Sequence, residues 1–229
     1  MFPFFFDQYY LLLVVPTLIL SMWAQFKVKS TFAKYSKVIS RKRITGQDSA
    51  ALLLKVNNIR DVKIESVAGT LTDHYDPSSK KVRLSQPVFS ENSIAAIGVA
   101  AHEAGHAIQH ANKYGPLVLR STLVPVANIG SRIGPIIAIA GLFLGHPMLL
   151  NAGIFLFAGA VLFYLITLPV EFDASARAIA ILRENNVLTQ EELAGVRHVL
   201  TAAAMTYVAS ALTAVMSLVR LILLSRSRR

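Results

Sequence analysis

The sequence contains no cysteine. No disulfide framework can staple it and no thiolate can act as nucleophile or metal ligand, so any metal site has to be built from imidazole and carboxylate. Charge is also scarce. Only 16% of residues are charged and 54% are hydrophobic, where an average soluble domain has about a quarter charged. Acidic side chains are the rarer sign, 13 against 23 Lys and Arg, giving a formal net charge of +10. An excess of that size can mark a nucleic-acid binder, but here the positive residues are clustered. Lys27, Lys29, Lys34, Lys37, Arg41, Lys42 and Arg43 crowd behind the first apolar segment. In a membrane protein the positive-inside rule and attraction to anionic lipid account for such a cluster. A lipid bilayer, and no nucleic acid, is therefore the expected partner.

A secretory signal also lacks its marks, since a positive n-region and a small-x-small cleavage site are missing. Asp7 is the charge preceding the apolar run Tyr9–Phe26, and Met22-Trp23-Ala24 is a poor cleavage context. Residues 1–26 read as an uncleaved membrane anchor whose basic flank places the next segment in the cytoplasm. Residues 27–120 contain no apolar run long enough to span and read as a cytoplasmic domain. Residues 121–170 hold two apolar stretches, Leu123–Leu144 and Met148–Leu168, joined around Gly145-His146-Pro147. Each is near the length of about 20 residues that crosses a bilayer, so they form a transmembrane helical hairpin. Arg132 inside the first either snorkels or moves the start of the crossing to Ile133. The Gly130/Gly134 and Gly141/Gly145 spacings permit close helix packing.

Residues 171–198 are polar and helical, broken at Asn185-Asn186, with Thr189 and Glu192 spaced as a capping box that restarts the helix. Residues 199–229 are apolar and Ala-rich, ending in Arg226, Arg228 and Arg229. A fourth crossing would put those arginines outside, so three crossings are expected, and the last helix either spans or associates with the membrane. No internal repeat or low-complexity segment is present.

Two features mark the polar domain. Between Val67 and Ser85, the turn-rich Asp73-His74-Tyr75-Asp76-Pro77-Ser78-Ser79 separates two β-prone runs, a hairpin signal. From Ser90, a candidate N-cap, a helix is expected to run to about His110. It carries His102-Glu103-Ala104-Gly105-His106. Two histidines four apart project from one helix face and can bind one Zn²⁺, with Glu103 beside them to take a proton from water. Ala100, Ala101, Ala104, Gly105 and Ala107 keep this helix slim, which opposes the alternative of surface histidines on an amphipathic helix.

A catalytic zinc needs a third protein ligand. His110 resembles the end of an extended motif, but the metzincin spacing places Gly and His where Gln109 and Asn112 stand. Glu171, at the end of an apolar run, is the stronger candidate, because a carboxylate there is costly unless paired or metal-bound. A first-turn residue favoured by the helix dipole is the alternative.

With these motifs in view the chain resembles the YugP-type bacterial membrane zinc metallopeptidases and, more distantly, the HtpX-like proteases of the gluzincin group. The likeness covers the anchor, the DHYDP hairpin, the HEAGHAIQH helix, the apolar pair, VEFDASARA and the Ala-rich last helix. It implies a mainly α, multi-pass membrane fold with a small α+β zincin-like metalloprotease domain, its β-hairpin preceding the HExxH helix. It also implies one Zn²⁺ per chain, with Glu171, in Glu171-Phe172-Asp173-Ala174, as third ligand. Ser175 stands where the wider group has an Asp that orients a ligand histidine, and becomes the candidate to supply a weaker bond of that kind. Asp173 points to another helix face and is a poor substitute.

The resemblance further implies a strand edge for an extended peptide, here Val67–Asp76 with His74 and Tyr75 near its end. Tyr207 and His198 are candidates to donate to a tetrahedral oxyanion, with structural roles as the alternative. The implied activity is zinc-dependent endopeptidase cleavage of peptide or membrane-protein substrates at the cytoplasmic face of the cell membrane. A catalytically inactive zinc-binding membrane adaptor or scaffold is the main rival. An ion transporter fits less well, because water-facing Ser90-Glu91-Asn92 and Asn112-Lys113 bound the histidine helix.

Overall fold

Long apolar helices with little β-prone sequence between them dictate most of the architecture, which among the described residues is mainly α with one small sheet. A computed structural model describes residues 7–227; the first six residues and Arg228 and Arg229, parts of the 1–26 and 199–229 segments, lie outside the described residues. A wide π turn, Tyr10–Val14, leads into α1 (Val15–Tyr35). Then come α2 (Gly46–Val56), β1 (Lys63–Val67), β2 (His74–Asp76), β3 (Lys81–Ser85), α3 (Gln86–Ser90) and α4 (Ile94–Ala111). The chain ends with α5 (Gly115–Phe143), α6 (Pro147–Glu184) and α7 (Gln190–Ser227). Among the described residues four helices are long and apolar enough to cross a membrane, α1 with its π turn, α5, α6 and α7. The last of these is the helix whose crossing the sequence left open.

The chain divides into two compact units. One comprises residues 1–25, 118–169 and 205–229. Within it α5 and α6 approach until a Cβ at Gly130 would lie 2.2 Å from the Leu156 carbonyl oxygen, and one at Gly153 2.2 Å from the Ala138 nitrogen. Small residues allow this contact, since apolar burial gives helices no reason to associate in lipid. Gly145 does not join that stripe; it turns the chain with φ +62°. Ser21 Oγ lies 3.3 Å from Thr213 Oγ1, and Arg220 pairs with Asp7, so α1 and the end of α7 run antiparallel. Arg132 is exposed.

The other unit comprises residues 26–117 and 170–204. Its core joins Leu53 and Leu54 of α2, Val82 and Leu84 of β3, and Ile94, Ile97 and Ile108 of α4 to Leu182 and Val196. The sheet order is β1-β3-β2, with β1 parallel and β2 antiparallel to β3. Val82 and Leu84 face the core, while Arg83 pairs with Asp76 at 2.9 Å and lies 4.0 Å from Glu65 on the opposite face.

The sheet departs from the expected hairpin. Its arms are β2 and β3, and Val67 belongs to a third strand instead of opening the hairpin. Gly69 (φ +104°) and Leu71 (φ +57°) turn the chain out of extended conformation, so Val67–Asp76 is not one strand. The tight turn starts after Asp76, whose carboxylate accepts from Ser78 N at 2.9 Å and Ser79 Oγ at 2.7 Å.

The helix start also moves. Ser90 ends α3, and Ser93 caps α4 by accepting from Ala96 N at 3.2 Å. Ser93 also takes part in a bridge to Ile39, which fixes the entry of the chain into α4. The capping box between helices six and seven forms as its spacing suggests, with Thr189 N donating to Glu192 at 2.7 Å and Glu192 N to Thr189 at 3.3 Å. Arg41 N donates to the same carboxylate at 2.7 Å, tying the loop after α1 to the start of α7.

The cap assignment predicts that Ser93→Ala lowers stability by about 1 kcal/mol, whereas Ser90→Ala, at an exposed position outside the cap, changes it by less than about 0.5 kcal/mol. Chemical denaturation of the detergent-solubilised protein measures both, and equal effects would remove Ser93 from the cap.

Candidate metal centre

Helix α4 has few side chains larger than alanine around its middle, and its partner is correspondingly close. A Cβ at Gly105 would lie 2.6 Å from the Ala174 carbonyl oxygen, so Gly105 sets how nearly α4 and the Val170–Glu184 part of α6 can meet. At that closeness side chains one turn apart on each helix interdigitate. From α4 come His102 and His106, their rings edge to face with centroids 4.7 Å apart. From α6 comes Glu171, only 2% exposed.

Glu171 Oε2 is 3.2 Å from His102 Nε2 and 3.5 Å from His106 Nε2. The three donor atoms all lie within 4.8 Å of one another. Tetrahedral ligands at about 2.0–2.1 Å from zinc are separated by about 3.3 Å, so the two separations to the carboxylate match edges of such a tetrahedron. A carboxylate this deep is costly without a compensating cation, whether imidazolium or a metal ion. The donor set of two imidazoles and one carboxylate suits zinc, and these residues fit the ion.

Each ring is held from behind. Ser175 Oγ, one helical turn after Glu171, lies 3.0 Å from His102 Nδ1. Gln109 Oε1 lies 3.0 Å from His106 Nδ1, and the Gln109 amide nitrogen donates to the Val170 carbonyl at 2.8 Å and to Asp173 Oδ2 at 2.7 Å. Asp173 in turn pairs with Arg177. Glu103 is buried, 9% exposed, and its charge acts on His106. Burial pulls the His106 pKa down, but the hydrogen bond to Glu171 and the charges of Glu103 and Glu171 outweigh it and leave the ring more basic than its ordinary 6.5.

A family model described as "Putative neutral zinc metallopeptidase" matches residues 10–226. The chain belongs to this family. It is 49% identical over 215 residues to the "Putative membrane protease YugP" of Bacillus subtilis (strain 168), an alignment covering 94% of this chain and 96% of that protein. No solved structure matches the chain. Membership in a zinc metallopeptidase family makes zinc the ion to expect at the group formed by His102, His106 and Glu171.

Three further histidines of this family member make contacts of their own. His110 Nδ1 meets the Tyr75 hydroxyl at 2.7 Å, joining α4 to β2; burial pushes the Tyr75 phenol up to about 12, so it stays a donor. His74 is exposed, with Nδ1 2.9 Å from the Thr72 carbonyl oxygen. His198 is exposed and meets the Tyr35 hydroxyl at 2.8 Å. Tyr207 lies in the unit that contains residues 205–229. Sequence reasoning passed over Gln109, noticing it only as a mismatch to another motif. Its spacing three residues after His106 was the available signal, since side chains three apart on a helix are neighbours.

Two outcomes are expected. Gly105→Ala forces α4 and α6 apart, lowering stability by about 1–3 kcal/mol and weakening zinc binding; thermal unfolding and zinc titration read both, and unchanged affinity would show that the close approach is dispensable. Zinc competes with protons for His106. Affinity therefore falls as pH is lowered, and because that ring is more basic than usual the fall begins above 6.5. Chelator competition across pH checks the sign.

Proposed function

We propose that the chain is a membrane-embedded, zinc-dependent endopeptidase of the HExxH gluzincin type, with zinc held by His102, His106 and Glu171. The observation that carries this reading is the convergence of three donor atoms, from helices that are distant in sequence, at separations that suit one tetrahedral ion. When bound, zinc supplies Lewis acidity and brings the pKa of water towards about 7.

The chain's own residues do the rest. The carboxylate of Glu103, next to His102 and buried in the same unit, takes the proton of the attacking water. It then delivers that proton to the leaving amine nitrogen as the peptide bond breaks. Ser175 and Gln109 hold the two rings so that both Nε2 atoms remain directed at Glu171. Substrate segments are proposed to lie extended along His74–Asp76, the extended part of the 67–76 candidate, because among the described residues β2 pairs with β3 on one side only and backbone pairing binds many sequences.

The substrates are taken to be membrane proteins or their membrane-proximal segments. Two observations support this: the relative from Bacillus subtilis is described as a membrane protease, and four helices can span. The site is placed on the cytoplasmic side on the strength of the basic cluster from Lys27 to Arg43, which shares a unit with His102, His106 and Glu171. The domain scheme proposed is an anchor, a cytoplasmic domain completed by residues 171–198, a helical hairpin and a last apolar helix.

Glu103→Gln separates the enzyme from a zinc-binding scaffold. It is expected to keep stoichiometric zinc, measured by elemental analysis, while hydrolysis of an unfolded casein-like substrate falls by at least about 100-fold. Equal rates in the two proteins would leave only the scaffold.

A further inference from the structure

The side chain of Gln109 is wholly buried, yet every one of its polar bonds is directed. Its amide nitrogen is within hydrogen-bond distance of two groups that only accept, the Val170 carbonyl and the Asp173 carboxylate. That leaves no freedom in the amide: the nitrogen must face α6 and the oxygen must face His106. A carbonyl oxygen only accepts, so His106 Nδ1 has to carry the hydrogen of that 3.0 Å bond. The lone pair of the neutral ring is then on Nε2, the nitrogen beside Glu171.

Helix α6 presents two adjoining stripes to α4. Glu171 and Ser175, four apart, meet His102. Val170 and Asp173, three apart, meet Gln109, and Arg177, four further on, pairs with Asp173. The Arg177 guanidinium lies 5.5 Å from the Tyr114 ring centre, and Tyr114 N donates to the Gln109 backbone oxygen at 2.9 Å. The network therefore returns to the end of α4 and holds Gln109 by main chain and side chain together.

We propose that Gln109 is a positioning residue that relays the Asp173 carboxylate to His106 and locks that ring in the tautomer whose Nε2 faces Glu171. This rests on the reading of His106 as a metal ligand. Both rings are then oriented by neutral groups, a hydroxyl and an amide, and the carboxylate acts one residue removed. Asp173, a poor partner for His102 on helical geometry, reaches the other histidine through Gln109.

The test uses the full-length protein in detergent, stripped of metal, with zinc affinity measured against a chromogenic chelator. Gln109→Leu is expected to weaken zinc by about 10–100-fold, the usual effect of removing a group that orients a ligand. Adding Asp173→Asn to that variant causes little further loss, because Asp173 acts through Gln109. Gln109→Glu is also weakened, since it cannot donate and faces Asp173 with like charge. Combining Gln109→Glu with Asp173→Asn restores a donor across the gap to position 173 and recovers part of the affinity, the Val170 carbonyl still losing its donor; simple packing does not predict such a recovery.

In the wild type, ¹⁵N spectra of labelled histidine are expected to show hydrogen on Nδ1 of His106 with zinc bound. Affinity of Gln109→Leu within twofold of wild type, absence of rescue in a folded double variant, or hydrogen on Nε2 in the wild type would each overturn the proposal. His106→Ala distinguishes the layers. If it binds zinc like wild type, the metal reading itself fails; if it loses zinc while Gln109→Leu does not, only the relay fails.

Discussion

A carboxylate held between two imidazoles inside a protein constrains everything around it. Glu171 is almost completely removed from water, and a bare charge in that position would be prohibitively unfavourable. The surroundings therefore have to provide positive charge or a metal, at hydrogen-bond distances and in fixed directions. Helix α4 meets this demand by being slim. Alanines and Gly105 let its backbone come so near α6 that the His102 and His106 rings reach the carboxylate directly.

The packing behind α4 answers the same requirement. A helix carrying two oriented rings cannot be left free to roll, and its other face is locked by Ile94, Ile97 and Ile108 against α2 and β3. Ser93 caps its start and the Ile39 bridge fixes its entry. At its far end His110 is tied to β2 through Tyr75, and Gln109 to α6. In the unit of residues 1–25, 118–169 and 205–229 a different rule operates. Close approach of α5 and α6 at glycines and the Asp7–Arg220 pair do the work that apolar burial does in water.

Much of this was legible in the sequence because the signals are local. Apolar runs of spanning length announce helices, and the pair His102 and His106 at four-residue spacing announces a shared helix face whatever the helix packs against. The Thr189–Glu192 box was equally readable, since both partners belong to one turn. The errors also have local causes. Ser90 and Ser93 both look like caps, and only the short α3 and the bridge to Ile39 select the second. The turn residues from Asp73 and the candidate strand Val67–Asp76 overlap in the sequence; only His74–Asp76 is strand there, because Asp76 closes the turn with the serines just after it.

The sequence by itself determined the helices, the apolar and basic segments and the two imidazoles on one helix face, since each depends on residues within a few turns of one another. The sequence marked Glu171, 65 positions beyond His106 in the chain, as the candidate third ligand, but the tertiary structure alone decided how closely it stands against both rings. It alone decided that Gln109, unremarkable in the sequence, carries an oriented bond between His106 and Asp173. Those contacts depend on how near two helices approach, and that distance is set by Gly105 facing Ala174 across a gap no local pattern encodes.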